Sequence, residues 1–490
     1  MKPYESLNKN YISGEWRDGR GQSTIEVTNP YTNEKMETIQ SASVEDIDEA
    51  YQSAKQVQQE WEKVNAFEKS SIMEKAVQLL EERREEFIEH LIEESGSSFI
   101  KANVEMDFVT AITREAASFP LRMEGHIVPS LIAGKENRIY RKPLGVVGVI
   151  GPFNFPMYLS MRSVAPAIAT GNGVVVKPDS QTPITGGVLL GKIFEEAGAP
   201  KGLINVIMPT IKEVGDAVTE HPIPRLISFT GSTAVGRHIG ELCGKHIKKS
   251  ILELGGNNAL IVLEYANVER AVNSALFGKF MHNGQICMAI NRIIVHQSKY
   301  DEFVDLFVQK AKKIKVGDPR DKDTLIGPLI NRKAVDGILE FIDQAKEQGA
   351  KVVLEGKAEG NVMYPYILTG TNEVATAKNE MFGPVATIIS AKDDDEAIKI
   401  ANDTEYGLSG AVHAGSPEHG VEVAKQIVTG MVHVNDQSVN DEPLIAFGGE
   451  KDSGLGRFGG ERSLEEFTTL QWISVQSEER ESPYHTNYLE

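Results

Sequence analysis

Short apolar runs alternate with helix-like stretches through the middle of the chain. Between residues 145 and 260 the apolar runs are VVGVIG, GVVVKP, LINVIM, RLISFTG and NALIVL, separated by stretches such as SMRSVAPAIATG and PITGGVLLGKIFEEAG. Alternating strands and helices are typical of a mainly parallel sheet with helices on its faces. A second alternating block covers about 260–460, so the pattern predicts an α/β fold.

Four other segments have patterns of their own. Helical spacing of apolar residues predicts one helix over about 44–64 and another over about 67–96. Segment 120–146 is typical of two extended pieces around a polar turn, which predicts a hairpin. The tail TTLQWISVQ alternates apolar and polar residues, so we expect it to pair with an exposed sheet edge, in this chain or in another subunit.

Composition and charge exclude several classes of protein. The chain has 490 residues and a formal net charge of -19, which argues against a nucleic-acid partner. No apolar run has the length of about 20 residues that spans a bilayer, and the N-terminal residues lack the apolar core of a signal peptide. Two cysteines, Cys243 and Cys287, cannot form a disulfide framework, so we expect reduced thiols in a cytoplasmic protein.

Two segments carry residues suited to a phosphate-containing cofactor. RLISFTGSTAVGRHIG predicts a buried strand, a turn and a helix, in which Gly231 and Gly236 let the backbone approach a pyrophosphate at a helix N-terminus. Lys177, in GNGVVVKPDSQTP, lies at the C-terminal end of a predicted parallel strand, where ligands of open α/β sheets bind. Each feature alone also fits a plain turn glycine or a solvent-exposed lysine.

Three further residues are candidates for reaction chemistry. Cys287 follows a predicted helix of about 268–281, and a thiolate there would be a nucleophile. Glu253 lies beside two glycines in LELGGNN, where a carboxylate can serve as general base. Asn154 lies between aromatics in PFNFP and could donate to an oxyanion. Taken singly, these residues equally fit a buried thiol, a capping Glu and a turn Asn.

The motifs together resemble the aldehyde dehydrogenase superfamily over nearly the whole chain. The matching segments are NYISGEW, PFNFP, VVVKP, FTGSTAVG, LELGGNN, GQIC, EMFGPV, NDTEYGLSG and PLIAFGGEKDSGLGR. The resemblance implies the aldehyde dehydrogenase fold, which combines a Rossmann-type cofactor domain, an α/β catalytic domain and a β oligomerisation arm. We assign 1–120 and 144–255 to the first, 256–462 to the second, and 121–143 with 463–490 to the arm.

The resemblance also implies roles for individual residues. Cys287 is similar to the nucleophile that forms a thiohemiacetal and then a thioacyl enzyme. Asn154, with the backbone N–H of Cys287, resembles the oxyanion hole, and Glu253 resembles the base that activates the hydrolytic water. The residues similar to the family's ligands for NAD or NADP are Lys177 at the adenosine ribose, Gly231 and Ser232 at the pyrophosphate, and Glu380 and Phe382 at the nicotinamide ribose and ring. No metal site is implied.

One departure from the family bears on cofactor choice. Many members have Lys-Pro-Ser-Glu where this chain has KPDS, so Ser180 stands in place of a Glu that binds both ribose hydroxyls. A Glu repels a 2′-phosphate and Ser does not, which predicts that NADP is accepted, alone or alongside NAD. Asp179 counts against this prediction, because its carboxylate could replace the missing one.

Within the superfamily the chain resembles the benzaldehyde and vanillin dehydrogenase branch, which implies an aromatic aldehyde substrate. We expect Phe153, Phe155 and Tyr158 to line an apolar entrance. Ile286 and Met288 flank the nucleophile and would narrow the site. Arg162 is a candidate to meet a phenolate or carboxylate.

Several alternatives stay open. An aliphatic aldehyde or a semialdehyde is the main alternative substrate. A CoA-acylating enzyme, a cysteine-dependent esterase and a crystallin-like structural protein fit less well, because Glu253 and the cofactor motifs would then be unexplained. The resemblance also implies a homodimer or homotetramer held by the arm.

Overall fold

Two large mixed sheets, a three-stranded antiparallel sheet and three two-stranded sheets organise residues 2–479, the part of the chain that the computed structural model describes. The strands are β1 (Asn10–Ile12), β2 (Glu15–Arg17), β3 (Thr24–Thr28), β4 (Lys35–Gln40), β5 (His126–Pro129), β6 (Lys135–Pro143), β7 (Val146–Ile150), β8 (Gly173–Lys177), β9 (Ile204–Val206), β10 (Leu226–Thr230), β11 (Lys249–Glu253), β12 (Asn258–Val262), β13 (Ile290–His296), β14 (Lys351–Leu354), β15 (Ala358–Glu359), β16 (Val362–Met363), β17 (Tyr366–Thr369), β18 (Val385–Ala391), β19 (Tyr406–Gly407), β20 (Gly410–His413), β21 (His433–Val434), β22 (Glu450–Lys451), β23 (Gly454–Leu455) and β24 (Thr468–Gln476). The α-helices are α1 (Val44–Trp61), α2 (Ala66–Glu82), α3 (Arg84–Ser95), α4 (Phe99–Ala117), α5 (Pro156–Ala169), α6 (Leu189–Ala197), α7 (Ile211–Val214), α8 (Ala217–Glu220), α9 (Thr233–Lys245), α10 (Val268–Phe280), α11 (Tyr300–Ala311), α12 (Arg332–Glu347), α13 (Ala375–Lys378), α14 (Asp394–Asn402), α15 (Pro417–Ala424) and α16 (Gly460–Glu466).

The first large sheet contains most of the predicted strands. Its order is β2-β1-β9-β8-β7-β10-β11-β23. The five strands from β9 to β11 are parallel, whereas β1, β2 and β23 are antiparallel to their neighbours. The near-continuous apolar runs of β7, β8 and β10 are buried, as expected for strands covered on both faces by helices. The prediction of a mainly parallel sheet is therefore confirmed.

The second large sheet has the order β14-β17-β18-β13-β12-β20-β21. The run NALIVL, which we had grouped with the earlier strands, forms β12 in this sheet. Near the end of the predicted catalytic segment, β23 crosses back and pairs with β11 of the first sheet. The division into domains stays a prediction.

A three-stranded sheet of order β24-β6-β5 carries the predicted hairpin and tail. Strands β5 and β6 are antiparallel, which confirms the hairpin. Strand β24 pairs with β6 of the same chain from Thr468 opposite Pro143 to Gln476 opposite Lys135. The alternating tail therefore covers a sheet edge within the chain. Residues 480–490 of the predicted arm lie outside the described residues.

The helix predicted over 67–96 is two helices, separated at Arg83. The backbone of Arg83 leaves the helical region, with φ -106° and ψ 14°, which ends α2 and starts α3. Its buried guanidinium donates to the backbone carbonyl of Lys2 at 3.0 Å and to Glu196 at 3.0 Å, contacts that apolar periodicity does not reveal. Among the described residues, no helix combines the length and apolar character needed to cross a bilayer.

Candidate active site

A cavity of about 570 Å³ opens at the carboxyl ends of the parallel strands of the first sheet. Ligands of open α/β sheets bind at this edge because the loops after the strands meet there. The lining includes eight of the ten residues singled out from the sequence: Asn154, Lys177, Gly231, Ser232, Glu253, Cys287, Glu380 and Phe382. The remaining two, Ser180 and Gly236, are not part of the lining.

Cys287 lies in a turn between α10 and β13. The chain reaches this turn through three consecutive left-handed residues, His282 (φ 48°), Asn283 (φ 59°) and Gly284 (φ 75°). Non-glycine residues with positive φ are strained, and such strain often accompanies functional loops. Removal from bulk water raises the pKa of Cys287 to about 12, with Glu253 and other carboxylates adding to the effect. The resting side chain is therefore a neutral thiol.

Asn154 lies in the turn that joins β7 to α5. Its side chain is buried, and Nδ2 donates to the backbone carbonyl of Gln285 at 2.9 Å, two residues before Cys287. The buried carboxylate of Glu105 accepts from the backbone N–H groups of Met157 and Tyr158, at 3.0 and 3.1 Å, and so fixes the start of α5. The PFNFP turn thus holds an amide donor beside the thiol, as an oxyanion site requires.

Glu253 is the last residue of β11, and its carboxylate is buried at the cavity wall. Neither carboxylate oxygen has a hydrogen-bond partner among residues 2–479. Burial raises the pKa of Glu253 to about 8, although the guanidinium groups of Arg162 and Arg457 favour the charged form. A carboxyl group that titrates in this range can take a proton from water near neutral pH.

Gly231 and Ser232 lie at the N-terminus of α9, as the strand–turn–helix pattern predicted. Among residues 2–479, no side chain caps the first turn of this helix, so its N–H groups are available to an anion that enters the cavity. Gly236 has another position. A Cβ at Gly236 would overlap the side chain of Leu254, so this glycine allows α9 to pack against the chain after β11. Gly236 therefore has a packing role, and its approach to a pyrophosphate stays a prediction.

The KPDS segment follows β8. Lys177 lines the cavity, and burial lowers the pKa of its amine. Asp179 also lines the cavity, and its Oδ1 accepts from the backbone N–H of Gln181 at 2.9 Å. Ser180 is exposed and lies outside the lining. The side chain beside Lys177 is thus a carboxylate, and the hydroxyl of Ser180 is not in the position that the sequence suggested.

Glu380 and Phe382 reach the cavity from the loop before β18. Glu380 accepts from the backbone N–H of Gly256 at 3.0 Å, and burial raises its pKa to about 7. Phe382 has a positive φ of 44°, and its ring lies 5.8 Å from that of Phe153 in an edge-to-face arrangement. Phe153, which we expect from the sequence to line an apolar entrance, lies in the wall of this larger cavity.

A second cavity of about 200 Å³ lies on the other side of Cys287. It shares Asn154, Leu159 and Cys287 with the larger one. Its walls are mostly apolar or aromatic, and they are lined by Val104, Phe108, Phe155, Tyr158, Arg162, Phe277, Met281, Ile286, Met288, Gln437, Val439, Asn440 and Phe447. Phe155, Tyr158, Ile286 and Met288 are thus among the lining residues, and their role at a substrate entrance stays a prediction.

Arg162 also reaches this second cavity, but it has protein partners. Its Nη2 forms an ion pair with Asp441 and donates to the hydroxyl of Tyr158 at 2.7 Å. Its Nη1 is buried without a hydrogen-bond partner within residues 2–479. The guanidinium also lies 4.0 Å from the ring centre of Phe447. Most of the positive charge of Arg162 is thus neutralised by the carboxylate of Asp441.

Several cavity residues were not anticipated from the sequence. Phe108 lies on α4, Phe277 on α10, and Val439 and Phe447 on the segment before β22. Each is an ordinary apolar residue in an ordinary local pattern, and their convergence depends on packing between distant segments. In contrast, Asn154, Glu253 and Cys287 stand out locally because polar or reactive groups interrupt glycine-rich or aromatic turns.

Comparison with known proteins supports one family. The model of the aldehyde dehydrogenase family matches residues 16–473. The chain is 55% identical to a benzaldehyde dehydrogenase of Bacillus subtilis, over 99% of this chain and 100% of that protein. It is 48% identical to a vanillin dehydrogenase of Corynebacterium glutamicum, over 96% and 97% of the two chains. A crystal structure of an NAD-dependent benzaldehyde dehydrogenase from Corynebacterium glutamicum superimposes with a TM-score of 0.88 at 44% identity, over 96% and 98% of the chains.

Proposed function

Since the chain belongs to the aldehyde dehydrogenase family, we propose that it oxidises an aromatic aldehyde to the carboxylic acid at the junction of its two cavities. The observation that supports this most directly is the position of Cys287 between a large cavity with cofactor-type residues and a small cavity with aromatic walls. A flat ring fits walls of this kind, because aromatic and apolar side chains bury its faces. The similar benzaldehyde and vanillin dehydrogenases act on such aldehydes.

The residues of the larger cavity fit a nicotinamide dinucleotide. The uncapped N-terminus of α9, with Gly231 and Ser232, would hold the pyrophosphate. Lys177 would meet the adenosine ribose, and Glu380 and Phe382 would hold the nicotinamide end. When bound, the oxidised dinucleotide supplies the acceptor for a hydride.

The protein residues carry the covalent chemistry. The Cys287 thiol passes its proton to water in the open cavity, and Sγ forms a bond to the aldehyde carbon. The carbonyl oxygen gains the electron pair of the broken π bond, and Asn154 Nδ2 with the N–H of Cys287 donates to it. After the carbon loses hydride, Sγ holds an acyl group as a thioester. Glu253 then takes a proton from water, whose oxygen attacks the acyl carbon. The bond from that carbon to Sγ breaks, the acid leaves, and Sγ takes the proton from Glu253 to restore the thiol and the carboxylate.

A panel of aldehydes tests the substrate class. We expect kcat/KM to be higher for benzaldehyde and vanillin than for hexanal, because the second cavity buries a ring on several sides. The panel is measured by the absorbance of reduced cofactor. A higher kcat/KM for hexanal would exclude the aromatic assignment while leaving aldehyde oxidation intact.

Discrimination between NAD and NADP follows from the KPDS segment. Ser180 was the basis for expecting NADP to be accepted. Because Asp179, not Ser180, lines the cavity beside Lys177, we infer that NAD is preferred. A carboxylate at this position accepts from ribose hydroxyls and repels a 2′-phosphate.

Substitution at positions 179 and 180 tests this inference. Asp179→Asn removes the negative charge, so the ratio of kcat/KM for NADP to that for NAD should rise, by about tenfold or more. The matched control is Ser180→Ala, which changes an exposed neighbour and should leave the ratio as in the wild type. A wild-type preference for NADP, or equal effects of the two substitutions, would contradict the inference.

The cellular setting and the assembly are proposed on similar grounds. Both cysteines are free, and a reaction that needs a thiol is favoured in a reducing compartment, so we propose the cytoplasm. The three-stranded sheet exposes Leu470, Trp472 and Ile127, at 62%, 64% and 70% of their full areas. We propose that this sheet joins copies of the chain into a homodimer or homotetramer.

A further inference from the structure

Two consecutive asparagines lie between Glu253 and the core of the second sheet, and none of the roles above uses them. Asn257 and Asn258 are buried, at 3% and 2% exposure. Both follow the two glycines of LELGGNN, at the point where the chain passes from β11 to β12. Buried amides are expensive unless their donors and acceptors are satisfied, so their partners indicate their function.

Asn258 holds the turn that carries the nucleophile. Its Nδ2 donates to the backbone carbonyl of Cys287 at 2.7 Å and to that of Ala289 at 2.9 Å. Its Oδ1 accepts from the backbone N–H of Ser409 at 2.9 Å. The Asn258 side chain therefore fixes the backbone on either side of Met288. It also joins this turn to the segment at Ser409, about 120 residues further along the chain.

Asn257 holds the other loop of the site, the one that carries Glu380 and Phe382. Its Nδ2 donates to the backbone carbonyl of Ala377 at 2.8 Å. Its Oδ1 accepts from the side-chain amide of Asn291 at 2.8 Å, and that amide also donates to the carbonyl of Asn379 at 2.8 Å. The side-chain amides of Asn257 and Asn291 together fix the backbone just before Glu380 by hydrogen bonds.

The two preceding glycines face the same two loops in the same order. A Cβ at Gly255 would overlap the carboxylate of Glu380, and a Cβ at Gly256 would overlap the backbone carbonyl of Cys287. Between β11 and β12 the chain has no turn or bend, so successive residues point to opposite sides. Residues 255 and 257 therefore face the Glu380 loop, and residues 256 and 258 face the Cys287 turn.

We propose that Asn257 and Asn258 are positioning residues with separate targets: Asn258 sets the nucleophile turn and Asn257 sets the loop for the nicotinamide end of the cofactor. The expected effect on catalysis rests on the function proposed above. The hydrogen bonds that Asn257 and Asn258 make to the two loops, here called the two asparagine clamps, do not depend on that function. The two glycines let one short segment, residues 255–258, contact both loops. This segment therefore sets the distance between the Cys287 sulfur and the loop that carries Glu380.

The proposal predicts different defects in the two alanine variants. Asn258→Ala should lower the single-turnover rate of cofactor reduction with benzaldehyde by about a hundredfold, since small displacements of a nucleophile cost this much, with the Kd for NAD unchanged. Asn257→Ala should raise the Kd for NAD by about tenfold and keep a near-normal single-turnover rate at saturating NAD. The measurements are stopped-flow absorbance and fluorescence titration with NAD.

A readout that needs no aldehyde separates this proposal from the proposed function. Alkylation of Cys287 by iodoacetamide, followed by peptide mass spectrometry, should be faster in Asn258→Ala, because the released turn exposes the partly buried thiol further, and unchanged in Asn257→Ala. If the wild type reduces no cofactor with any aldehyde, the proposed function fails. Alkylation and NAD binding still decide whether the clamps exist.

Asn205→Ala is the matched control for lost stability. Asn205 is fully buried and joins two chain segments through the N–H of Ser13 and the carbonyl of Gly202, both at 2.8 Å, outside both cavities. It should lower Tm with no change in single-turnover rate, alkylation or Kd.

If Asn258→Ala does not fold, Asn258→Ser, which keeps a donor on a shorter side chain, takes its place with the same expected direction. Wild-type rates and alkylation in the Asn258 variant, or identical defects in both variants, would overturn the proposal.

Discussion

At the scale of single residues, burial favours the neutral forms of both the thiol that attacks the aldehyde and the carboxyl group that must be ionised to act as a base. The pKa of Cys287 is raised to about 12 and that of Glu253 to about 8. Glu253 is closer to neutrality and has no hydrogen-bond partner within residues 2–479 that would fix it in one state. It is therefore the group whose titration should appear in steady turnover.

Substitutions of Cys287 and Glu253 should separate the acylation of the enzyme from the hydrolysis of the thioester. In Glu253→Gln, acyl transfer to Cys287 still proceeds, so a single burst of reduced cofactor should remain while steady turnover falls by about a hundredfold or more. Cys287→Ala should abolish both phases. Cys243→Ala is the matched control, because this buried thiol lies outside both cavities and should leave the burst intact. A surviving burst in Cys287→Ala would mean that the nucleophile is another residue.

The pH dependence of kcat follows from Glu253. The general base works as the carboxylate, so where hydrolysis limits turnover, kcat should rise with pH and level off above about 8. The positive charge of Arg457 lowers the pKa of Glu253, so Arg457→Gln should move the rise to higher pH. Arg462→Gln, at an exposed ion pair with Glu465, should leave the profile in place. A flat kcat profile between pH 6 and about 9 would exclude Glu253 as the limiting base.

At the scale of elements, the packing of α9 determines the position of its N-terminus, which is the proposed pyrophosphate site. The helix starts at the cavity with an uncapped first turn, and Gly236 lets it lie directly against Leu254. A side chain at 236 must displace one of the two, which would move the helix N-terminus. The same helix has two further glycines, and at one of them, Gly244, an added Cβ meets nothing within 4 Å.

Gly236 and Gly244 provide a matched pair of substitutions. Gly236→Ala should lower the free energy of unfolding by about 1–3 kcal/mol through overpacking, and it should weaken NAD binding. Gly244→Ala adds the same methyl group in open space and should stabilise the protein slightly or leave it unchanged. Thermal unfolding and NAD titration of both variants check this. Equal Tm values for the two variants would show that the close contact between Gly236 and Leu254 does not affect stability.

At the scale of the whole molecule, the three-stranded sheet is built from distant parts of the chain. Strand β24 lies about 330 residues from β6 in sequence, yet nine residue pairs join them. The sheet keeps Leu470 and Trp472 exposed, at 62% and 64%. Exposed apolar residues on a sheet of this size are typical of an interface between subunits.

Charges on this sheet should therefore change the state of assembly. Leu470→Asp combined with Trp472→Asp places two carboxylates on one face of β24, and we expect a shift to monomer in size-exclusion chromatography with light scattering. Tyr265→Asp is the control, since Tyr265 is 74% exposed on a loop far along the chain from the three-stranded sheet. A wild-type monomer, or an unchanged mass in the double variant, would contradict the assignment of the arm.

The sequence by itself determined the parts of this protein that depend on local pattern. Apolar runs of strand length specify β7, β8 and β10, because a strand buried on both faces needs continuous apolar side chains. The polar interruptions at Asn154, Glu253 and Cys287 are equally local, and the structure places all three at one cavity.

The tertiary structure alone decided which neighbours each side chain meets. It placed Asp179 at the larger cavity and Ser180 outside it, gave Gly236 a packing role, put Phe153 in the wall of the larger cavity and paired Arg162 with Asp441, 279 residues away. Periodicity along the chain shows whether a residue is buried, but not which distant segment buries it. That choice depends on how the sheets and helices pack, and for this reason the two asparagine clamps become visible only in the folded chain.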